Sequence, residues 1–374
     1  MLLLALALAC ATCVTPAPEE TGAPLDVAAV QARLPKGVSD PAGWARDLRA
    51  AIEAAGLVPT RERVCEVVAV VAQESSFHAD PAVAGLPKLV RNAIEQKLAV
   101  LGMLAGPATS ALLAGHAPGQ AESFGTRIDR LRTERDLDLM FRDMETAYEE
   151  RFPGPALVAA GLSRLLGRGG LDALNPVTTI GSMQVKVPFA RTLEGNESLS
   201  DADLRDLLYT RAGGLRAGAA RLLGFEAGYD DVLYRFADYN AGVYTSRNAQ
   251  FQDMVATLTG KTLALDGDLL AYDANGDVSD TPSNSLKALW AFGRAHDFWD
   301  WSVTRQARLE KSVDFEGTAL WSAVREAWQK QTGKKPAYAR LPQVAVSSPK
   351  MARERSTSWF AASVKRHYTE CMAR

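Results

Sequence analysis

The sequence predicts a mainly helical fold. The 374-residue chain is 47% hydrophobic and 23% charged, which is typical of a globular protein. Alanine, leucine and arginine are abundant, and runs of alternating polar and apolar residues are scarce. The formal net charge of −2 provides no basic field that would attract a nucleic acid, so we expect no nucleic-acid partner.

Residues 1–10 are predicted to be a lipoprotein signal segment. Residues 1–9 are wholly apolar and too few to span a bilayer as a helix. The Ala-Leu-Ala-Cys sequence that ends at Cys10 resembles a bacterial lipobox, although no Lys or Arg precedes it; Cys13 is the alternative lipidation site. A frayed apolar N-terminus without a role is the other interpretation. A lipobox implies a periplasmic protein that is lipid-anchored to the outer membrane, because Ala11 is not an inner-membrane retention residue.

Four segments follow the predicted signal segment. Residues 11–26 are predicted to be a flexible tether, since residues 15–23 are rich in proline and polar side chains. Residues 27–260 are predicted to form the main domain, within which residues 87–175 form a helical insertion. Residues 261–374 are predicted to form a helical C-terminal extension. The tryptophans of this extension are interpreted as helix core in preference to a sugar-stacking surface.

The main domain is predicted to contain five helices and one extended segment outside the insertion, and Pro188 is predicted to open the helix after the extended segment. Asp40 caps the first helix, and Thr60 caps a second whose valines recur at helical spacing as far as Glu74. A short extended segment with turns is predicted at residues 176–187, where Thr, Ile and Val are concentrated. Two further helices are predicted near residues 204–223 and 230–241.

Two cysteines lie outside the predicted signal segment and tether. Cys65 falls on the apolar side of its helix, and Cys371 lies close to the C-terminus. An oxidising compartment would allow them to form a disulfide. The apolar position of Cys65 slightly favours the other interpretation, a small buried hydrophobic residue.

Three short motifs follow one another along the chain. They are Glu-Ser-Ser-Phe at residues 74–77, Gly-Ser-Met-Gln at 181–184 and Tyr-Asn-Ala-Gly at 239–242. In this order they resemble the three motifs of the soluble lytic transglycosylases, which have a goose-lysozyme-like fold. The whole chain also resembles a family of proteobacterial lipoproteins without assigned function. The first resemblance implies a lysozyme-like helical domain with a small β-segment.

Glu74 is the candidate catalytic residue. Glycosidic cleavage needs a carboxylic acid that stays protonated near neutral pH. Apolar helix surface and the negative end of a helix dipole both disfavour a carboxylate, so the position of Glu74 is expected to raise its pKa. The resemblance implies that Glu74 acts first as acid and then as base, and that the bond between N-acetylmuramic acid and N-acetylglucosamine breaks without water to give 1,6-anhydromuramic acid. No metal and no other cofactor is implied.

The resemblance also implies which residues bind the glycan strands of peptidoglycan. They are Ser75, Ser182, Met183, Gln184, Tyr239 and Asn240. Core packing is an equal alternative for Met183. Asn240 lies on the apolar stripe of its helix, so a role in closing the helix is its alternative.

Two features depart from the family pattern. Asp238 stands where the family usually has an apolar residue, and a second carboxylate near the site could act as a base for hydrolysis. Its helical position points it away from Asn240, which favours a surface or locally hydrogen-bonded residue. The interval between Glu74 and Gln184 is also much longer than the family's usual loop, which is why residues 87–175 are interpreted as an insertion beside the cleft. The insertion could cap the groove, select glycan ends or bind a partner, and the alternative is a stabilising annex without a role in the site.

The sequence leaves two alternatives to transglycosylation. One is a lysozyme-type muramidase, which would hydrolyse the same bond. The other is a glycan-binding lipoprotein without catalytic activity. The sequence does not determine whether the protein has a protein partner; the expected contacts of the mature protein are peptidoglycan and, through an N-terminal lipid, the membrane.

Overall fold

The computed structural model describes residues 22–151, 177–273, 276–346 and 355–374. This part of the chain is mainly helical, as predicted. The signal segment, Cys10 and Cys13 lie outside the described residues, as do most of the tether and residues 152–175 of the insertion. No helix in the described part is long and apolar enough to cross a membrane.

The helices are numbered in chain order. They are α1 Val27–Ala32, α2 Pro41–Ala54, α3 Arg61–Glu74, α4 Leu86–Leu98, α5 Ala105–Ala114, α6 Phe124–Ile128, α7 Glu134–Arg151, α8 Val187–Arg191, α9 Asp201–Leu208, α10 Arg211–Leu223, α11 Val232–Ala241, α12 Thr245–Thr259, α13 Asn284–Arg294, α14 Asp300–Ala307, α15 Ala319–Thr332 and α16 Thr357–Ala373. Short 3₁₀ helices lie at Ala99–Leu104 and Val313–Gly317.

Two small antiparallel pairs of strands accompany the helices. Thr179–Ile180 (β1) pairs with Val185–Lys186 (β2), where the extended segment was predicted. Ala345–Val346 (β3) pairs with Arg355–Ser356 (β4), just before the last helix. Each pair is only two residues long, so the stability of these hairpins comes from the helices around them.

One predicted helix proves to be two. Residues 204–223 were predicted as a single helix, but α9 ends at Leu208 and α10 begins at Arg211. The hydroxyl of Thr210 accepts a hydrogen bond from the Gly213 amide at 3.0 Å and so caps α10. A threonine that bonds the backbone ahead of it competes with a continuous helix, which explains the break.

Two hydrophobic cores form the interior. The first contains the buried faces of α1–α4, α6 and α7, together with β1, β2 and α8–α11. The second lies between α12, α13, α14 and α15. Helix α12 is buried over most of its length; it follows α11, which contributes Phe236 to the first core, and itself contributes Phe251 to the second.

The last helix, α16, packs in the first core, whereas α13, α14 and α15 pack in the second. The predicted C-terminal extension is therefore divided between the two cores. Phe360, Ala361 and Val364 of α16 are buried in the first core. A disulfide joins Cys371 to Cys65 of α3, with Cα atoms 5.5 Å apart. The interpretation of Cys65 as an unpaired buried residue was therefore wrong. Nothing local in the sequence signals this pairing, because 306 positions separate the two cysteines.

The tryptophans of the extension do not share one environment. Trp321 is 7% exposed and stacks on Phe251 in the second core, as predicted. Trp299 and Trp301 are 74% and 64% exposed, so for these two the core interpretation was wrong. They stand at the start of α14, where the chain turns outward after Phe298.

Candidate active site

The end of α3 presents Glu74. The next residues, Ser76 and Phe77, have φ angles of 49° and 63°, a left-handed conformation that ends the helix. The turn returns Phe77 to the core, where its ring meets Trp44 edge-on at 5.1 Å. Glu74 is consequently the last helical residue, on a helix whose inner face is apolar and buried.

The hairpin of β1 and β2 carries the second motif. Gly181 has a φ of 79°, and a Cβ atom there would lie 2.3 Å from the carbonyl oxygen of Leu208. Only glycine therefore fits this turn. Gln184 follows with a φ of 51°, so the motif ends on a residue held in an unfavourable backbone conformation. Such residues concentrate at functional sites.

Helix α11 carries the third motif at its C-terminal end. The Tyr239 hydroxyl donates a 2.5 Å hydrogen bond to the carbonyl of Met183, which joins the third motif to the second. Arg221 donates to the Tyr239 carbonyl at 3.0 Å and lies 5.5 Å from the centre of its ring. Burial raises the pKa of Tyr239, and the nearby Glu74 charge raises it further although Arg221 opposes it. Tyr239 is thus a neutral hydrogen-bond donor beside Glu74.

A cavity of about 400 Å³ brings the three motifs together. Each motif contributes at least one lining residue: Glu74 from the first, Gln184 from the second, and Tyr239 and Asn240 from the third. The other lining residues are Pro81, Ala82, Val83, Ala84, Glu134, Thr179, Lys186 and Arg221.

Three residues predicted to bind the glycan do not line this cavity. Ser75 is 5% exposed, and its hydroxyl donates to the Val71 carbonyl at 3.2 Å within its own helix. Ser182 and Met183 are both 0% exposed. Met183 packs against Gly218 of α10, so the core interpretation of Met183 holds. Ser182 and Met183 lie behind the cavity wall because the tight turn at residues 181–184 directs them into the core, whereas Ser75 faces back along α3.

Gln184 lines the cavity, but its amide is bound to protein groups. Its Nε2 donates to the Glu134 carboxylate and to the Gly181 carbonyl, both at 3.2 Å. Its Oε1 accepts from the Thr179 hydroxyl at 2.8 Å. Both amide hydrogens therefore have protein acceptors, so Gln184 holds its neighbours while it lines the cavity; its role in binding the glycan stays a prediction.

Asp238 is neither at the surface nor in the cavity. It is 1% exposed and accepts hydrogen bonds from the Tyr229 hydroxyl and, at 2.7 Å, from the Ser246 amide. Burial outweighs these bonds and raises the pKa of Asp238 to about 6. Of the two alternatives for this residue, the locally hydrogen-bonded one is correct and the surface one is wrong. Asp238 ties the end of α11 to the start of α12.

Helix α16 supports the cavity from behind. The Thr357 hydroxyl donates to the Asn240 side-chain oxygen at 3.0 Å, and the Ser363 hydroxyl donates to the Gln73 side-chain oxygen at 2.6 Å. Asn240 is half-buried, with its polar group partnered as a buried amide requires. The C-terminal helix thus contacts two of the three elements that carry the motifs, α3 and α11.

Sequence reasoning missed three charged residues of the cavity. Lys186 could have been found, because alternation along a strand places it on the same face as Gln184. Glu134 and Arg221 carry no such signal. They are ordinary charged residues of α7 and α10 that the tertiary structure brings to the cavity wall.

A second cavity, of about 520 Å³, lies between the two cores and is lined by residues that include Glu66, Arg235 and Glu316. Burial raises the pKa of Glu66 to about 7, against the opposing charge of Arg235. Arg235 lies 3.8 Å from the Glu66 carboxylate. Within the described residues, no group of three or more His, Cys, Asp and Glu side chains is arranged to hold a metal ion.

Comparison with known proteins identifies the family. Residues 37–374 match the model of a family described as "Protein of unknown function (DUF1615)". The chain belongs to this family. It is also similar to the uncharacterized protein YaiW of Escherichia coli (strain K12), with 36% identity over 350 residues that cover 93% of this chain and 90% of YaiW. No solved structure matches the chain significantly.

Proposed function

We propose that this DUF1615 protein is a peptidoglycan lytic transglycosylase with a goose-lysozyme-like core. The convergence of three separate motifs on one cavity supports the proposal most directly. Glu74 lines that cavity from the end of an apolar helix, beside the hydroxyl-bearing Tyr239. A carboxylic acid between apolar and hydrogen-bonding surfaces is the arrangement that proton transfer to a glycosidic oxygen needs.

The proposed reaction uses Glu74 twice. Its carboxyl proton passes to the oxygen that bridges N-acetylmuramic acid to N-acetylglucosamine, and the bond from muramic C1 to that oxygen breaks with its electron pair on the oxygen. The acetamido oxygen of the muramic residue supports the positive charge at C1. The Glu74 carboxylate then takes the proton of the 6-hydroxyl, whose oxygen bonds to C1. The product is a 1,6-anhydro ring, and no water enters.

The decisive experiment is mass spectrometry of purified sacculi digested with protein that lacks residues 1–21. Wild type should release anhydromuropeptides, and Glu74→Gln should release at least 100-fold less because general acid catalysis supplies that much or more. Glu62→Gln, an exposed carboxylate on the same helix, is the matched control and should keep full activity. Absence of product from wild type with intact binding would instead support the non-catalytic glycan-binding alternative.

One observation favours a muramidase as the second candidate. Glu134 lines the cavity that Glu74 lines, and hydrolytic glycosidases commonly use two carboxyl groups. The same digestion separates the candidates, because hydrolysis leaves reducing muramic ends. Asp238 would not serve as the second carboxyl, since it does not line the cavity.

We also propose that the protein is exported and anchored by a lipid at Cys10 to the periplasmic face of the outer membrane. The Cys65–Cys371 disulfide supports an oxidising compartment. Metabolic labelling with a radioactive fatty acid tests the anchor: wild type and Cys13→Ser should be labelled, and Cys10→Ser should not. Label retained in Cys10→Ser and lost in Cys13→Ser would move the anchor to Cys13.

A further inference from the structure

The segment that the sequence marks as an insertion forms part of the cavity wall. Glu134 is the first residue of α7 and lines the cavity although it is only 3% exposed. The backbone just before it is also attached to the cavity rim. The Val83 amide donates to the Arg132 carbonyl at 2.8 Å, and Ala82 forms a β-bridge with Thr133.

Helix α7 is fixed to the main domain one turn further on. Asp138 is 0% exposed and binds two arginines, Arg142 at 2.6 Å and Arg205 of α9 at 2.5 Å. Arg142 in turn donates to Asp206 of α9 at 3.1 Å. A buried carboxylate with two arginine partners fixes the helix tightly, because moving α7 away from α9 would separate the buried Asp138 from Arg205 and weaken the compensation of its charge. The direction in which Glu134 points is thereby determined.

Gln184 of the second motif positions the Glu134 side chain. The Gln184 amide donates to the Glu134 carboxylate, while the Gly181 carbonyl and the Thr179 hydroxyl hold the rest of that amide. A carboxylate is a stronger hydrogen-bond acceptor than a neutral amide, and the Gln184 side-chain oxygen already accepts from the Thr179 hydroxyl. For a ligand that donates hydrogen bonds, the carboxylate is therefore the stronger acceptor on this wall.

We infer that Glu134 is a substrate-binding carboxylate, delivered by the insertion and positioned by Gln184, that accepts hydrogen bonds from an N-acetylated amino sugar. Such a sugar presents hydroxyl and acetamido N–H donors to a carboxylate. This inference rests on the proposed function and extends it: the insertion is part of the glycan site and not a stabilising annex. It also gives the Gln of the second motif a role as a positioning residue.

Steady-state cleavage of sacculi fragments tests the role of Glu134. Glu134→Gln should lower kcat/KM about 10- to 100-fold, chiefly by raising KM, because a charge-assisted hydrogen bond to substrate is lost. Glu95→Gln, an exposed carboxylate on α4 of the same insertion, is the matched control and should not change either constant. If Glu134→Gln and Glu95→Gln behave alike while wild type cleaves, the inference fails and the proposed function stands.

Binding separates this inference from catalysis. Titration of tetra-N-acetylchitotetraose into Glu74→Gln should give a Kd about 10-fold or more below that for the Glu74→Gln, Glu134→Gln double variant. Equal affinities would overturn the inference whatever the activity. Absence of both binding and cleavage in wild type would overturn the proposed function as well. Glu134→Asp, which keeps the charge but shortens its reach, should also weaken binding.

A double-mutant cycle tests the positioning role of Gln184. Gln184→Met keeps the side-chain length without the amide and should also raise KM. If Gln184 acts through Glu134, the Gln184→Met, Glu134→Gln double variant should raise KM by less than the product of the two single effects. Fully multiplicative effects would show that Gln184 acts independently of Glu134.

Discussion

The carbonyl oxygen of Met183 accepts a hydrogen bond from the Tyr239 hydroxyl and so holds Tyr239 at the cavity wall. Met183 can occupy its position only because the residue that faces it, at position 218, is a glycine. Gly218 of α10 faces it, and a Cβ atom at this glycine would lie 2.2 Å from the Met183 sulfur. A side chain at position 218 would therefore clash with the buried Met183 sulfur, and relief of this clash would displace the turn at residues 181–184.

Gly218→Ala should therefore lower the free energy of unfolding by about 1–3 kcal/mol and reduce glycan cleavage. Gly106→Ala is the matched control, because nothing lies within 4 Å of a Cβ built there in α5. That change should be neutral or stabilise the protein by up to about 1 kcal/mol. Urea unfolding measures both, and equal stability of the two variants would contradict this account of the contact.

Ser182 presents the opposite case, a buried polar atom that costs stability. Its Oγ has no hydrogen-bond partner within the part of the chain that the structure describes. Ser182→Ala should thus keep or raise the free energy of unfolding, by up to about 1 kcal/mol. Ser75→Ala, which loses a bond to the Val71 carbonyl, should lower it by about 1 kcal/mol in the same urea titration. A larger loss in Ser182→Ala would mean that this hydroxyl is hydrogen-bonded after all.

At the scale of elements, the last helix holds the first motif in place. Helix α16 packs along α3, is joined to it by Cys65–Cys371, and contacts Gln73 beside Glu74 through Ser363. The helix that delivers the proposed acid is therefore braced by a segment almost three hundred residues later in the chain. A disulfide that closes so long a loop strongly restricts the unfolded state.

The Cys65→Ala, Cys371→Ala double variant should unfold at a lower temperature than wild type, with a loss of about 2–4 kcal/mol in the free energy of unfolding. Cleavage of sacculi should fall by a larger fraction than helix content does, because α3 loses the support of α16 before the core unfolds. Circular dichroism and product release on the same sample give both quantities. Wild type treated with a reductant should reproduce the loss, and Cys10→Ser, which leaves this pair intact, should not.

At the scale of the whole molecule, buried carboxyl groups make stability depend on pH. Glu66 keeps its proton up to a pKa of about 7 in the folded protein, against an ordinary value of 4.5. Between these values the unfolded chain has released a proton that the folded chain retains. The contribution of Glu66 is therefore most favourable below about pH 4.5 and is lost as the pH rises through 7.

The free energy of unfolding should consequently fall by up to about 3 kcal/mol between pH 5 and pH 8 on account of Glu66. Glu66→Gln cannot titrate, so the difference between this variant and wild type should change with pH by that amount. Chemical unfolding at a series of pH values measures it. Glu62→Gln, on the exposed face of the same helix, should follow the wild-type profile more closely than Glu66→Gln does.

Local signals in the sequence predicted a large part of this molecule. Thr60 and the valines that follow determine α3 and its end at Glu74, because caps and helical periodicity act within a few residues. The Thr, Ile and Val residues at 176–187 predicted a short extended segment with turns, because strand propensity is also a local property. The order of the three motifs then gave four cavity-lining residues, Glu74, Gln184, Tyr239 and Asn240.

Only the tertiary structure decided which side chains face the cavity. It turned Ser75, Ser182 and Met183 inward, added Glu134 from the insertion, and placed Cys371 against Cys65. These outcomes depend on the packing of helices that lie far apart along the chain. Residue spacing determines the periodicity within each element, but it does not determine which distant element packs against that element's apolar face. The sequence by itself therefore determined the helices and the motif residues, whereas the packing of the helices decided which side chains form the site.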